Sequence, residues 1–309
     1  MRTLVKQDGV QLLDHSLRLL EDGQREFALD LLFGGLLDMR ESSEAEEWRS
    51  FSREVAVEHP IAQWIHDDPM TRRSFEKPRG YAGDAVLLDY IYGVEGVEDV
   101  EHPKGGCVYR FAVGRPAASA VRRRRSWVAR WIDGVAAQRK EPLSVCSIAS
   151  GHLREVENLK ALERGQIETF TALDADSESC AFVRERHPEF DVRNESFAGL
   201  FRDRDVRGRY DLVYSAGLFD YLEERIGTKL VRTMFGMLRP GGQLMLTNFL
   251  PTVVDAGYME SFMGWDLIYR NEAELVALTS ALPREESFEV RVERDSHRAV
   301  GTLVVTRTR

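Results

Sequence analysis

From Pro142 onward the chain alternates short apolar runs with stretches of helical period, and few architectures accommodate that alternation. The runs are "LSVCSIA", "ETFTALDAD", "DVRNESF", "YDLVYSAG" and "GQLMLTNF", followed by "SFEVRVERD" and "AVGTLVVTRT". Between them lie "LREVENLKALER", "SESCAFVRERH", "RIGTKLVRTMFGMLRP" and "NEAELVALTSAL", whose apolar residues recur every three or four positions. Strand and helix in alternation require a parallel sheet with both faces covered. The last two runs, joined by "SHR", predict an antiparallel hairpin at the sheet edge. The expected fold class is therefore α/β, a doubly wound sheet of about seven strands over residues 142–309.

Residues 1–141 have a different texture. "GVQLLDHSLRLLEDGQREFALDLLFGGLLDMRES" and "SEAEEWRSFSREVAVEHPIAQWI" repeat apolar residues at helical spacing, and β-branched alternation is scarce. A helical N-terminal domain is expected there, acting as a lid on a site in the sheet domain.

Composition excludes several function classes. The 309 residues are 43% hydrophobic and 30% charged, as in ordinary soluble globular proteins. No apolar run approaches a membrane span, and the opening "MRTLVKQDGVQLLDHSL" carries no signal-like block, so a cytoplasmic protein is expected. Cys107, Cys146 and Cys180 are scattered, without the paired spacing of a zinc site, so no metal is expected. A net charge of −9 disfavours nucleic acid as a partner. The basic run Arg122–Arg125 lies in a helical stretch and reads as a solvated face.

In a doubly wound sheet the ligand lies beyond the carboxyl ends of the strands, near the switch in strand order. The first strand ends in Ala149-Ser150-Gly151, small residues that let backbone approach a ligand before a helix whose first N–H groups are unpaired. The second ends in Asp174, about 20 residues beyond that turn, the place and residue type that holds ribose hydroxyls. A helix N-cap is the other reading of Asp174, although Asp176 or Ser177 suits that task better. The strand ends add Asn194, Ser215 and Ala216 to the cofactor-binding candidates. A dinucleotide needs G-x-G-x-x-G for its pyrophosphate, and "ASGHLRE" supplies one of those glycines, so the turn fits a nucleoside without a diphosphate.

With Asp174, the stretches "YDLVYSAGLFDYL" and "MLRPGGQLMLTNF" resemble the Rossmann-like class I methyltransferases that bind S-adenosylmethionine. The resemblance covers roughly Pro142 to the C-terminus and implies that cofactor. The opening motif departs from the pattern: Ser147, Ala149 and Gly151 stand where the family usually has an acidic residue and Gly-x-Gly. Glu155 is then a candidate for the cofactor's ammonium, or else a first-turn carboxylate favoured by the helix dipole. "MTRRSFEKPRGYAGDAVLLDYIYG", "YSAGLFDYL" and "GYMESFMGWDLIYR" more narrowly resemble 3-hydroxy fatty acid methyl ester synthases, quorum-signal methyltransferases of secondary metabolism. The same group is similar to azetidine-2-carboxylate synthases, which close S-adenosylmethionine on itself and release methylthioadenosine.

The loop "KPRGYAGD" carries its own physical reading. Pro78 disfavours helix at Lys77, Gly80 and Gly83 permit tight backbone, and Arg79, Tyr81 and Asp84 project from the loop as substrate or lid residues. An Asp-capped turn between two helices is the alternative. A tyrosine face attracts a sulfonium by about 0.5–2 kcal/mol, which makes Tyr81, Tyr214, Tyr221 and Tyr269 candidates, each equally readable as a core aromatic. Tyr81, Tyr221 and His152 are the catalytic candidates. A carboxylate acceptor is ionised at neutral pH and needs no general base, in keeping with the lack of a recognisable His-Asp dyad. If the cofactor's own amine attacks, Glu155, His152 or a tyrosine must take its proton. The expected activity is methyl transfer to a small acceptor, such as the carboxylate of a (hydroxy) fatty acid. The alternatives are a cyclase or aminocarboxypropyl transferase, and a nucleoside-binding regulator without catalysis.

Overall fold

The computed structural model describes residues 2–94, 105–203 and 205–308, with side chains from residue 7 onward. These form two compact units, Met1–Ser119 with Val253–Asp266, and Ala120–Thr252 with Leu267–Arg309. The helix Pro116–Ala136 begins in the first and continues into the second. Pro142 thus marks where the strands begin, while the units divide some twenty residues earlier.

The helical unit starts with Arg2–Glu21 and Arg25–Ser42, which break at Gly23, a residue with φ of 82°. Shorter helices follow, among them Pro69–Glu76, Ala85–Tyr92 and Gly105–Gly114. The sequence placed "GYMESFMGW" with the sheet domain, yet the helix Ala256–Phe262 belongs to the helical unit. Its ring Tyr258 stacks on Phe33 at 4.0 Å, and Glu260 accepts from Arg40 at 2.9 Å and from the Trp48 indole at 2.6 Å. A Cβ at Gly257 would lie 2.7 Å from the Leu36 carbonyl, where backbone cannot yield cheaply. Gly257→Ala should therefore cost about 2–3 kcal/mol. A lowered urea midpoint checks this, and an unchanged midpoint would mean that the two segments part without strain.

In the sheet unit the strands are β1 (Leu143–Ile148), β2 (Ile167–Asp174), β3 (Asp191–Asn194), β4 (Tyr210–Ser215), β5 (Leu238–Phe249), β6 (Phe288–Arg294) and β7 (Val300–Arg307). Their order is β3-β2-β1-β4-β5-β7-β6. The first five are mutually parallel, and β7 runs antiparallel to both β5 and β6. The expected hairpin is present, and β7 is its inner strand. The cause is visible in its side chains: "VGTLVV" is buried residue by residue, whereas β6 alternates partly buried with exposed positions. The helix Glu224–Met237 ends just before β5, which carries Pro240-Gly241-Gly242 as an irregularity, with Leu238 opposite Tyr210 and Gln243 opposite Leu212.

Apolar layers cover both faces of the sheet. One gathers Val213, Leu230, Met234, Phe235 and Leu244, and the other gathers Val128, Ile132, Leu143, Leu212 and Tyr214. At the amino ends of the strands the buried carboxylate of Asp211 accepts from Arg139 and Arg239 and from the Ser144 backbone, each at 2.9 Å. That edge is cross-braced by satisfied charges. The open chemistry lies at the opposite edge.

Candidate functional site

The order changes direction between β1 and β4, so the crevice beyond their carboxyl ends is the topological switch point. The turn leaving β1 does not lead straight into a regular helix as expected. Ala149, Gly151 and Leu153 all have positive φ, at 55°, 54° and 53°, and a 3-10 helix Arg154–Asn158 follows before the short helix Lys160–Glu163. Two of those residues carry a Cβ in a region that costs them energy, so surrounding bonds must hold the turn. Ser150 N–H donates to Leu173 O at 3.1 Å and Gly151 N–H to Asp174 Oδ2 at 2.7 Å.

Asp174 closes β2 and is 7% exposed. Its second oxygen accepts from Asp176 N–H at 2.8 Å. Burial pushes its carboxyl up from the ordinary value, opposed by the N–H groups of Asp176 and Gly151. A carboxylate offers about four acceptor positions, so Asp174 retains capacity for ligand hydroxyls beyond these two bonds. The cap of the helix Ser177–Arg186 is Asp176, which accepts from Glu178 and Ser179. Asn194 ends β3 opposite Asp174 and donates to the carbonyls of Asp174 and Ala175 at 3.2 and 3.1 Å.

Glu155 lies in the first turn of the 3-10 helix and accepts from the Tyr214 hydroxyl at 2.6 Å. Burial pushes the Glu155 carboxyl up, opposed by that hydrogen bond and by the charges of Arg124 and Arg125. Tyr214 itself is fully buried and packs edge-on against Trp131, with centroids 6.3 Å apart. Burial and the neighbouring Glu155 push its phenol well above the ordinary value, so it is a neutral donor. Of the four tyrosine candidates, Tyr214 is thus a core aromatic with a satisfied hydroxyl.

At the end of β4, Ser215 is buried on the opposite face from Tyr214, and its hydroxyl has no partner among the described residues. Ala216 O accepts from Thr247 at 2.9 Å, which ties this loop to β5. Asp220 is 3% exposed and accepts Phe249 N–H at 2.6 Å, while Arg270 donates to Phe219 O and Asn248 Oδ1, both at 2.7 Å, and to Leu222 O. Burial pushes the Asp220 carboxyl up to about 6, opposed by the Phe249 N–H and by Arg124 and Arg270. Asp220 escaped the sequence reading, because nothing in "GLFDYL" distinguishes a bracing aspartate from a surface one.

The remaining candidates separate by environment. His152 is buried and stacked on Phe182, with centroids 4.1 Å apart, so its ring serves packing against the helix Ser177–Arg186. Tyr221 is 36% exposed, and Tyr269 is partly buried. Arg79, Tyr81 and Asp84 belong to the helical unit. There Lys77 ends the preceding helix at φ 51°, as Pro78 implies. Asp84 caps Ala85–Tyr92 through Leu87 N–H at 2.8 Å and pairs with Arg73 at 2.7 Å, so its carboxylate is engaged in structure. Arg79 and Tyr81 are both partly buried.

The basic run departs from expectation. Arg123 is exposed, but Arg124 is 9% exposed and lies in line with the buried Val121, Val128 and Trp131. The signal was present in the spacing, where an arginine occupies a position of the apolar stripe. Among the described residues no group of three or more His, Cys, Asp or Glu is placed to hold a metal ion, and no helix is long and apolar enough to cross a membrane.

No protein-family model matches the chain, and no curated protein matches it in sequence. Solved structures do match. A possible exported protein from Bordetella parapertussis is 15% identical, with 83% of this chain and 100% of that one covered at a TM-score of 0.59. Magnesium protoporphyrin IX methyltransferase from Synechocystis PCC 6803, with bound SAH, is 13% identical, with 78% and 100% covered at a TM-score of 0.51. At such identities the likeness is one of fold. The seven-stranded order with β7 antiparallel beside β5, flanked by helices, makes this chain a Rossmann-like methyltransferase fold.

Proposed function

We propose that the chain is an S-adenosylmethionine-dependent methyltransferase acting on the carboxylate of a small organic acid, with a (hydroxy) fatty acid as the favoured class. The observation that carries this reading is the placement of Asp174 and Glu155 around one turn at the switch point of a methyltransferase sheet. The residues fit a nucleoside without phosphates. Gly151 N–H, the amide that would otherwise face a phosphate, already donates to Asp174, and carboxylates rather than amides line the turn. In this reading Asp174 accepts from the ribose hydroxyls and Glu155 from the ammonium, with Tyr214 holding Glu155 in place. Ser150 and Gly151 let the backbone approach, and Asn194, Ser215 and Ala216 bound the nucleoside. When bound, the cofactor supplies an alkyl group already activated on sulfur, so the protein's task is alignment and exclusion of water. No side chain needs to remove a proton from an ionised acid, and His152 accordingly receives no proton-transfer role. Tyr221 and Tyr269 are assigned as contacts to the acceptor or the sulfonium.

A second reading, intramolecular cyclisation of the cofactor, is favoured by one specific observation. Glu155, with its carboxyl pushed up, is suited to taking a proton from an amine. Product analysis separates the two. Incubation with S-adenosylmethionine alone should give little turnover, and adenosylhomocysteine should appear once a suitable acid is supplied. Rapid methylthioadenosine without acceptor, above the spontaneous decay of the cofactor, would replace methyl transfer by cyclisation.

A further inference from the structure

Arg124 is the residue whose surroundings ask for something that the described chain does not supply. It sits on the helix Pro116–Ala136, and from Val128 and Trp131 to Ile132 the same face packs into the apolar layer over the sheet. Trp131 meets Tyr214 within β4. Seven residues earlier, about 10 Å along the helix, Arg124 reaches the loop just past the end of β4. A Cβ at Gly217 would lie 3.7 and 3.8 Å from its two terminal nitrogens. The guanidinium is therefore at the carboxyl edge of the sheet, at the switch point.

Its donors are also open. Arg124 is 9% exposed, yet makes no hydrogen bond or ion pair among the described residues. Glu155 and Asp220 both feel its charge, but neither bonds it. A guanidinium stays protonated at any ordinary pH, and the Arg124 nitrogens keep solvent contact on an otherwise buried residue, so their donors stay open to a ligand. The flanking carboxylates choose the ligand: they repel a dianion, and the planar fork of the guanidinium matches a single carboxylate.

We propose that Arg124 is the carboxylate-binding residue of this site, an inference that rests on the cofactor assignment above. Two carboxylates qualify. One is the amino-acid end of S-adenosylmethionine, with Glu155 taking the ammonium of the same group. The other belongs to the acid acceptor.

Arg124→Gln distinguishes them by calorimetry with S-adenosylmethionine and with 5′-methylthioadenosine, which shares the nucleoside but lacks the carboxylate. The expected result is a loss of roughly ten- to a hundredfold for S-adenosylmethionine and an unchanged affinity for methylthioadenosine. If both nucleosides bind as before while a panel of 3-hydroxy acids loses affinity, the carboxylate is the acceptor's, which also upholds the proposal. Unchanged binding of all three overturns it. So does an equal loss for both nucleosides with a lowered melting temperature of the free protein, since that marks a structural brace. Wild-type protein that binds neither nucleoside would refute the cofactor assignment instead. Arg124 is then judged on the melting comparison alone: removing an unpaired charge leaves or raises stability, and a fall in melting temperature overturns the proposal.

Discussion

Asp174→Ala should weaken S-adenosylmethionine binding by about 1.5–3 kcal/mol, a loss of roughly tenfold to more than a hundredfold. Two losses combine. The ribose hydroxyls lose a charged acceptor, and Gly151 N–H loses the 2.7 Å bond that holds the turn after β1 against the end of β2. That turn carries Ala149 and Leu153 at positive φ and depends on such bonds. Asp174→Asn keeps one acceptor oxygen and should fall between the two proteins. Methylthioadenosine has the same ribose, so it should weaken in parallel, unlike its expected behaviour with Arg124→Gln. Calorimetric titration reads all of these, and an unchanged affinity in Asp174→Ala would place the ribose elsewhere.

Asp220→Asn should change the pH dependence of stability. Burial holds the Asp220 carboxyl at about 6 in the folded protein, against 3.8 ordinarily. The folded state then binds a proton more tightly than the unfolded state. This group's contribution to stability is fully present below pH 4 and is lost as the pH rises through 6. Asparagine keeps an oxygen for Phe249 N–H and cannot ionise. The stability of the variant relative to wild type should therefore rise by about 2.4 kcal/mol between pH 4 and pH 7. Asp68, likewise pushed up to about 6 by burial, titrates in both proteins and cancels from the difference. Denaturant melts at a series of pH values provide the measurement. A difference that stays flat with pH would show that Asp220 ionises as a solvated carboxylate does.

The periodicity of the sequence located the strands, because burying a strand on both faces leaves a continuous apolar run that little else imitates, as in β1 and β4. All seven strands fall on the runs read from it, and the terminal hairpin follows from two such runs separated by a tight turn. The Asp176 cap was legible because it acts within three residues of where it stands in the chain. Long-range partners were not legible. Tertiary structure alone decided that Val253–Asp266 joins the helical unit, because Tyr258 finds Phe33 and Glu260 finds Trp48 across more than two hundred residues. It alone decided that Tyr214 donates to Glu155, that β7 enters the sheet ahead of β6, and that Asp220 braces β5. Arg124 stands between the two cases. Its place in the apolar stripe was written in the spacing, but a run of four arginines reads as a solvated face until the packing of its helix shows which one is turned inward.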